Sequence, residues 1–522
     1  MAATRTLLSS VDSRTQHWWL RVKAIVAAVA VLVSCPSAIW PQVMSEMVDM
    51  GVIDRIRREG FDRSQIREMA SYLTDVIGPR LTGSAAMRQA NFWTAEKMRE
   101  WGLSNVAMEP WRFGRGWERV SYFGRILTPF VQPLNAQPQA WTGSTNGTVS
   151  GSVVVVKAQS ADEVERYRGK LAGAFILLQE PDSIAPELEG LPRRGTPEAL
   201  WGPPELYYRH HEFWVVERKD STSLAKGARR QMIRSAFDEL APKERPHALL
   251  LPSTRPYGIL RVFGNNDGIS PDNPTPLTEL VVSWEQYGQM YRNVGRGLDV
   301  RLEINVQNQF LEDDLRAYNT LGDIRGTDKA NEFVMLGAHL DSAHSGAGAT
   351  DNGAGCVVMM EAVRIIRALG LQPRRTIRIA LWSGEEEGLR GSRAWIDQHR
   401  DLWPRISAYI NLDNGSGRIR GIWDQGNDRA APIFEQIMWP FKDLGVIAVR
   451  HGNTGGTDHI SFNAVGIPGF NFIQDDLESW SRTHHTIADT FEHLAIDDLK
   501  QAAVVAAAIV YHLATRDDMM PR

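Results

Sequence analysis

An apolar run that stops at a histidine and an acid, FVMLGAHLDSAHSGAGATD over residues 333–351, constrains this chain more than any other stretch. Phe333, Val334, Met335 and Leu336 read as a strand buried on both faces, as in a parallel sheet. His339 and Asp341 follow at its carboxyl end, then a glycine-rich loop, then Asp351 just before a helical pattern. Open α/β sheets collect ligand groups at the carboxyl ends of their strands. A histidine and two aspartates delivered there are the beginning of a metal site.

Past this strand, apolar runs and amphipathic patterns alternate. The spacing predicts helix 353–369, strand 375–382, helix 388–399, strand 406–412, helix 431–444, strand 446–450, helix 458–465, strand 468–473 and helix 496–515. Such alternation predicts an α/β fold, a mostly parallel mixed sheet with helices on both faces. Residues 300–309 alternate as an edge strand, with 317–324 expected beside them. Upstream, Asp62 or Ser64 is expected to cap a helix ending near Ile77, and Ser84 a helix over 85–101 closed by Gly102. Residues 106–130 are strand-like. Between 131 and 300 the character changes: a Pro/Gln/Asn/Gly-rich connection, a charged helical stretch over 209–246, and short apolar runs at 153–156, 174–178, 248–251 and 280–282. This predicts a smaller α/β domain over 131–300, inserted between catalytic parts at 43–130 and 301–522.

The chain's 522 residues carry a formal net charge of −4, so no basic footprint for nucleic acid is present. Its two cysteines, Cys35 and Cys356, exclude a disulfide framework in the body. Cys356, on an apolar helical stripe, reads as a small buried hydrophobe. Near the start, Arg21 and Lys23 precede the apolar run 24–33, followed by Ser34, Cys35 and Pro36. That run suits the core of an export signal and is short for a membrane span. Residues 32–35, LVSC, resemble a bacterial lipobox, in which the cysteine is lipidated. Residues 1–38 therefore predict a signal peptide or a lipoprotein signal, with an uncleaved anchor as a third reading. Each places the body in the periplasm, the cell envelope or outside the cell. Cys35 or the N-terminal segment would supply any membrane attachment.

Three predicted strands end in acids. The first ends at His339 and Asp341, the second at Glu385, Glu386 and Glu387, and the third at Asp413; a late loop adds His484, His485 and Asp489. Singly, each has a plain reading: Asp351 as a helix cap, the glutamates as a solvated turn, the histidine pair as surface. Jointly, their recurrence at successive strand ends points to one site. Adjacent residues on extended backbone face opposite ways, so Glu385 and Glu386 can serve different partners, one a water and one a metal. The charges of Asp351, Glu386 and Asp413, with one hydroxide, balance two Zn²⁺, whereas without metal the cluster repels itself. Histidine and carboxylate ligands with a solvent position are the set of catalytic zinc. The Gly346-x-Gly348 spacing lacks the third glycine of a nucleotide fingerprint, which removes that reading.

The stretches GAHLDS (337–342), TDNGAG (350–355), SGEEEGLRGS (383–392), NLDNG (411–415), GGTDHISF (455–462) and HTIADT (485–490) resemble, in this order, the co-catalytic di-zinc exopeptidases. That family includes bacterial leucyl aminopeptidases and the carboxypeptidase Q branch (plasma glutamate carboxypeptidase), which residues 77–83 and 519–522 also resemble. The resemblance implies a phosphorylase/hydrolase-like zinc peptidase fold whose insertion is a protease-associated-like lid. It implies one zinc on His339, Asp351 and Asp413 and a second on Asp351, Glu386 and His485, with Asp351 bridging. The His-x-x-x-Asp-Thr spacing selects His485 over His484. Asp341 would orient His339 through its second ring nitrogen, and Glu385 would be the general base acting on a metal-bridged water. Short peptides or dipeptides are the implied substrates, and a homodimer the implied assembly. An aminopeptidase or dipeptidase is expected ahead of a carboxypeptidase. A carboxypeptidase or strict dipeptidase needs a cation for the terminal carboxylate, and the insertion supplies many Arg and Lys without singling one out. An acyl-amide hydrolase and a non-catalytic binding module on the same fold are the alternatives. His451 is a candidate for stabilising the oxyanion and His459 lies near the site in sequence, while His344 and the His210-His211 pair read as bland.

Overall fold

The apolar run becomes the strand Lys329–His339, near the middle of an eight-stranded sheet. In spatial order the strands are Ser104–Arg112, Arg316–Ile324, Arg375–Trp382, Lys329–His339, Ile406–Asn411, Gly469–Gln474, Ile419–Trp423 and Ala448–Arg450. The computed structural model describes residues 46–184, 194–201 and 221–522, and Glu46–Arg522 forms one compact unit. The export segment with Cys35, the His210-His211 pair and the start of the 209–246 helical stretch lie outside the described residues.

The strands that carry the acids run parallel to one another. His339 lies opposite Trp382, and Gly337 opposite Asn411, so their carboxyl ends open at one edge. Antiparallel partners close the sheet at Arg316–Ile324 and Ile419–Trp423, which makes it mixed. One face is covered by the helices Ala354–Ala368 and Ile496–Thr515, both largely apolar and buried. On the other face, Trp382, Trp395, Tyr409 and Phe462 pack together, with the rings of Tyr409 and Phe462 stacked at 4.1 Å. Cys356 is buried in the first of these helices, where its thiol donates to the His339 carbonyl at 3.0 Å.

A second eight-stranded sheet lies in the 116–311 region. Its strand Arg301–Leu311 corrects one expectation. It pairs with Gly116–Ile126 and Val149–Val155 rather than with Arg316–Ile324. The reason is the buried alternation Leu302, Ile304, Val306, which fits the core made with Val153, Phe175 and Leu250. The strand-like stretch 106–130 likewise divides, Ser104–Arg112 going to the first sheet and Gly116–Ile126 to the second.

Smaller departures have local causes. The helix Met50–Asp62 is capped by Asp49, whose carboxylate accepts from the Val52 amide at 3.0 Å, and a second helix starts at Ile66. Ser84 caps Ala85–Glu100 as expected, and Gly102 follows with φ +77°. The pattern over 431–444 is an α-helix only to Met438 and a 3-10 turn from Trp439, because Pro440 cannot continue the ladder. The five-residue strand Ile419–Trp423 carries too little pattern to be read beforehand.

A buried ion triad ties the amino-terminal helix to the helix that follows Asp351. Arg364 donates to Glu59 at 2.8 Å and to both oxygens of Glu361 at 2.8 Å. All three side chains are nearly sealed from solvent. Removing the guanidinium would strand two buried carboxylates. Arg364→Ala should therefore lower stability by about 3–5 kcal/mol, read as a fall in the urea midpoint. An unchanged midpoint would show that the triad contributes nothing.

Candidate active site

The first ligand group is assembled by geometry that three strands impose. His339 Nε2 lies 3.2 Å from Asp351 Oδ1, 3.3 Å from Asp413 Oδ1 and 4.0 Å from Glu385 Oε2. The ligand atoms of His339, Asp351 and Asp413 fall within 4.8 Å of one another. On the other side of the same carboxylate, His485 Nε2 lies 3.1 Å from Asp351 Oδ2 and 2.8 Å from Glu386 Oε2. Asp351 thus offers one oxygen to each group. Every metal ligand expected from the sequence, and Glu385, meets at one place.

His485 rather than His484 is the closer partner. His484 Nε2 stands 3.7 Å from Asp351 Oδ2, and its Nδ1 faces the Arg261 guanidinium at 3.1 Å. A guanidinium on one ring nitrogen opposes a metal cation on the other.

The supporting contacts are specific. His339 Nδ1 lies 3.1 Å from the Asp341 carbonyl, which fixes the ring through the main chain, and 3.6 Å from Asp341 Oδ1, beyond hydrogen-bond range. Asp341 Oδ2 in turn accepts from Thr82 Oγ1 at 3.1 Å and from the Glu386 amide at 3.2 Å. Glu386 Oε1 accepts from the Ala343 amide at 2.9 Å, leaving Oε2 toward His485.

Sequence reading gave no role to two residues that hold the Asp351 loop. Asp489 accepts from the Thr350 amide at 2.7 Å, from its hydroxyl at 2.8 Å and from the Asp351 amide at 3.1 Å. Arg80, fully buried, donates to the carbonyls of Leu340, Ala347 and Gly348 at 2.7 Å each. Gly348 has φ +61°, and a Cβ there would come within 2.3 Å of the Ser342 side chain, so the loop needs glycine at this point. The motif spacings 350–355 and 485–490 contain Thr350 and Asp489, but no one-dimensional pattern pairs them.

Electrostatics follow from burying many acids in one place. Burial opposes the Asp351 carboxylate, yet the imidazoles of His339 and His485 outweigh it and hold its pKa well below the usual range. Burial pushes Glu385 well above the carboxylate range, with His339 pulling against it and Asp413, Asp458 and Glu386 adding repulsion. Burial works against the charged His485 ring, but Glu386 and Asp351 hold it up to about 10. The cluster thus favours positive charge beside its carboxylates. Two imidazoles and three carboxylates are a nitrogen and oxygen donor set that suits zinc.

Asp351, Glu385, Glu386, Asp413 and His485 line a cavity of about 430 Å³, whose wall also includes Trp480, Ser479 and His484. Other histidines lie elsewhere. His451 points its Nδ1 at Asp424 and Asp428, 2.9 Å from each, and does not line this cavity, which removes it as the oxyanion partner. His459 Nε2 is bound to the Thr454 carbonyl at 3.0 Å, and His344 Nε2 to the Pro138 carbonyl at 2.8 Å. Burial pushes His344 down to about 4, the mark of a neutral buried ring.

The sequence profile of peptidase family M28 matches residues 319–510, the stretch that contains every ligand named above. Across nearly the whole chain the similarity is to mouse carboxypeptidase Q, 27% identical over 489 residues, 92% of this chain and 91% of that protein. Among solved structures, a peptidase M28 precursor from Shewanella amazonensis SB2B matches with a TM-score of 0.66 at 23% identity, covering 90% of this chain and 98% of that one. The zinc aminopeptidase BSAP from Bacillus subtilis matches at 0.56 and 18% identity, covering 87% and 95%. At these identities the solved structures establish the fold. The chain is a peptidase of mixed α/β architecture.

The Asp489 contacts generate a test. Asp489→Ala removes three hydrogen bonds from the loop that presents Asp351. Zinc affinity, measured by competition with a chromogenic chelator, should fall about 10–100-fold while the circular dichroism spectrum stays unchanged. Undiminished affinity would mean that the loop holds its shape without Asp489.

Proposed function

We propose that this chain is a di-zinc exopeptidase of the aminopeptidase or dipeptidase type, acting on short peptides. The observation that carries the reading is Asp351 between two imidazoles, with His339 at 3.2 Å from one oxygen and His485 at 3.1 Å from the other. His339, Asp351 and Asp413 would hold one zinc, and Asp351, Glu386 and His485 the second. When bound, the pair would supply a polarising charge for the scissile carbonyl and lower the pKa of water toward about 7.

The protein's own groups supply the rest. Glu385 takes a proton from the attacking water and passes it to the leaving amine. Its place is fixed at the turn after the strand Arg375–Trp382, where the Gly388 and Leu389 amides bond to its carbonyl. Asp341 keeps His339 in one orientation during this transfer. Glu385, Glu386 and Asp413 also offer acceptors for a free α-ammonium, which supports cleavage from the amino end. The name of the mouse relative speaks for a carboxypeptidase, and the Bacillus structure's for an aminopeptidase. A dipeptidase with both ends recognised reconciles the two.

The proposal extends to an exported protein, attached through a lipidated Cys35 or its N-terminal segment, that works as a homodimer. Residues 21–36 support export by composition. Among the described residues no helix is long and apolar enough to cross a membrane. Mass spectrometry of the mature amino terminus with cell fractionation, and sedimentation analysis, test these two points; a cytoplasmic chain with residue 1 intact, or a monomer, would remove them.

Two measurements test the chemistry. Glu385→Gln should fold, bind two zinc ions per chain by elemental analysis, and lose about 10²–10⁴-fold in kcat. Retained activity would remove Glu385 from the base role. Product analysis by mass spectrometry, with one short peptide in free, N-acetylated and C-amidated forms, decides the direction. Acetylation should abolish cleavage. Cleavage of acyl amides alone, with no peptide cut, would move the chain to the amidohydrolase reading.

A further inference from the structure

We propose that Arg194 is a positioning residue: it clamps together two loops that form one wall of the active-site cavity, and so sets how tightly the substrate is held. Its kinetic consequence rests on the exopeptidase reading, and the clamp itself on geometry alone.

Residues 194–201 lie as a strap along the strand that ends the first sheet, Ala448–Arg450. Thr196 Oγ1 accepts from the Ala199 amide at 3.2 Å and starts the short helix Pro197–Trp201. Leu200 is buried with Trp423, Ala448 and Ile473. Arg450, on the edge strand, donates to the carbonyls of Ala199 at 2.8 Å and Leu200 at 2.6 Å. A sheet edge is thereby covered, and the strap has a fixed place.

Arg194 stands at the start of the strap. Its Nη1 lies 3.1 Å from Asp475 Oδ2 and 2.6 Å from Asp498 Oδ2, and the Gly195 amide donates to Asp475 Oδ1 at 2.8 Å. Both carboxylates are nearly sealed from solvent. Arg420 Nη1 reaches the two oxygens of Asp475 at 3.2 Å each, and Arg418 Nη2 reaches Asp498 Oδ1 at 3.1 Å. Carboxylates this deeply buried need cations beside them. Among the described residues Arg194 is the one that touches both.

What the clamp holds is a seam of the cavity. Asp475 opens the segment that leads from the strand Gly469–Gln474 to Ser479, Trp480, His484 and His485 at the cavity. Against it lies the loop that runs from Asp413 to Arg418. The two are packed without spare room: a Cβ on Gly417 would come within 1.8 Å of the Asp475 carbonyl oxygen, and one on Gly415 within 2.8 Å of the Ser479 Cβ. The Asp475 amide donates to the Arg418 carbonyl at 3.0 Å, and Gln474 Nε2 to the carbonyls of Gly415 at 3.3 Å and Gly417 at 2.9 Å. Gly415 and Ser479 both line the cavity. Arg194 grips this seam from outside, through Asp475 on one loop and through Asp498 and Arg418 on the other. Arg194, Asp475, Asp498 and Arg418 do not themselves line the cavity, so their effect on substrate passes through the wall. A wall that must be ordered on binding weakens affinity and leaves the bond-breaking step to Glu385 and the ligands.

The test uses the zinc-loaded full chain with alanyl-leucine. In Arg194→Ala, KM should rise about tenfold while kcat and zinc content stay at the wild-type level, with Arg194→Lys restoring part of the loss. Hydrogen exchange read by mass spectrometry, without substrate, is independent of turnover. Residues 413–418 and 475–484 should exchange faster in Arg194→Ala, and the strand Lys329–His339 should not. A lowered melting temperature with KM and exchange unchanged would make Arg194 a stabilising residue only and overturn the clamp. Equal falls in kcat and kcat/KM with loss of zinc would also overturn it, placing the effect on the ligands. If the wild type cuts no peptide, the exopeptidase reading fails, and the exchange measurement by itself upholds or overturns the clamp.

Discussion

Acids crowded at the carboxyl edge of one sheet are the constraint on which the rest of this structure depends. Asp341, Asp351, Glu385, Glu386 and Asp413 are brought together with little water to screen them. Carboxylates so placed repel one another strongly, and the folded chain must offset that with imidazoles, backbone amides and metal charge. The parallel strands Lys329–His339, Arg375–Trp382 and Ile406–Asn411 supply the positions, and the large apolar core behind them supplies the stability that lets the repulsion persist. Asp351 is the pivot because its two oxygens face different imidazoles, which turns a repelling cluster into two separate ligand groups.

Rigidity around that pivot comes from groups that never touch the ligand atoms. Asp489 and Arg80 saturate the amides and carbonyls of the 340–351 loop, and Asp341 connects His339 to the Glu386 backbone. The second sheet takes part too, since the 260–263 segment bonds to the backbone that carries His485. The 260–263 segment is therefore a structural participant in the site. Rings of Phe263 and His485, edge to face at 5.1 Å, complete that junction.

Much of the site was legible because its chemistry is local in sequence. An apolar run followed by a histidine or acid marks a strand end without any tertiary knowledge, and His339, Glu385, Glu386 and Asp413 all have that signature. Apart from the strand Ile419–Trp423, the order of elements after residue 329 could be read for the same reason. Pairing could not. Whether 301–311 lies beside 316–324 or beside 116–126 depends on which core its buried face completes, and alternation is the same in either case. Arg80 and Asp489 act through backbone partners more than a hundred residues away, and Arg261 through the His484 ring, so no one-dimensional pattern joins them to those partners. His451 misled for the opposite reason: it is close in sequence to the motif at 455–462 but is held away by Asp424 and Asp428.

The central claim is that one carboxylate, Asp351, stands between two metal ions. Anomalous diffraction at the zinc edge from crystals of the zinc-loaded protein tests it most directly. The account predicts two peaks, one between Asp351, His339 and Asp413 and one between Asp351, Glu386 and His485. A single peak, or a second peak away from Asp351, would contradict it.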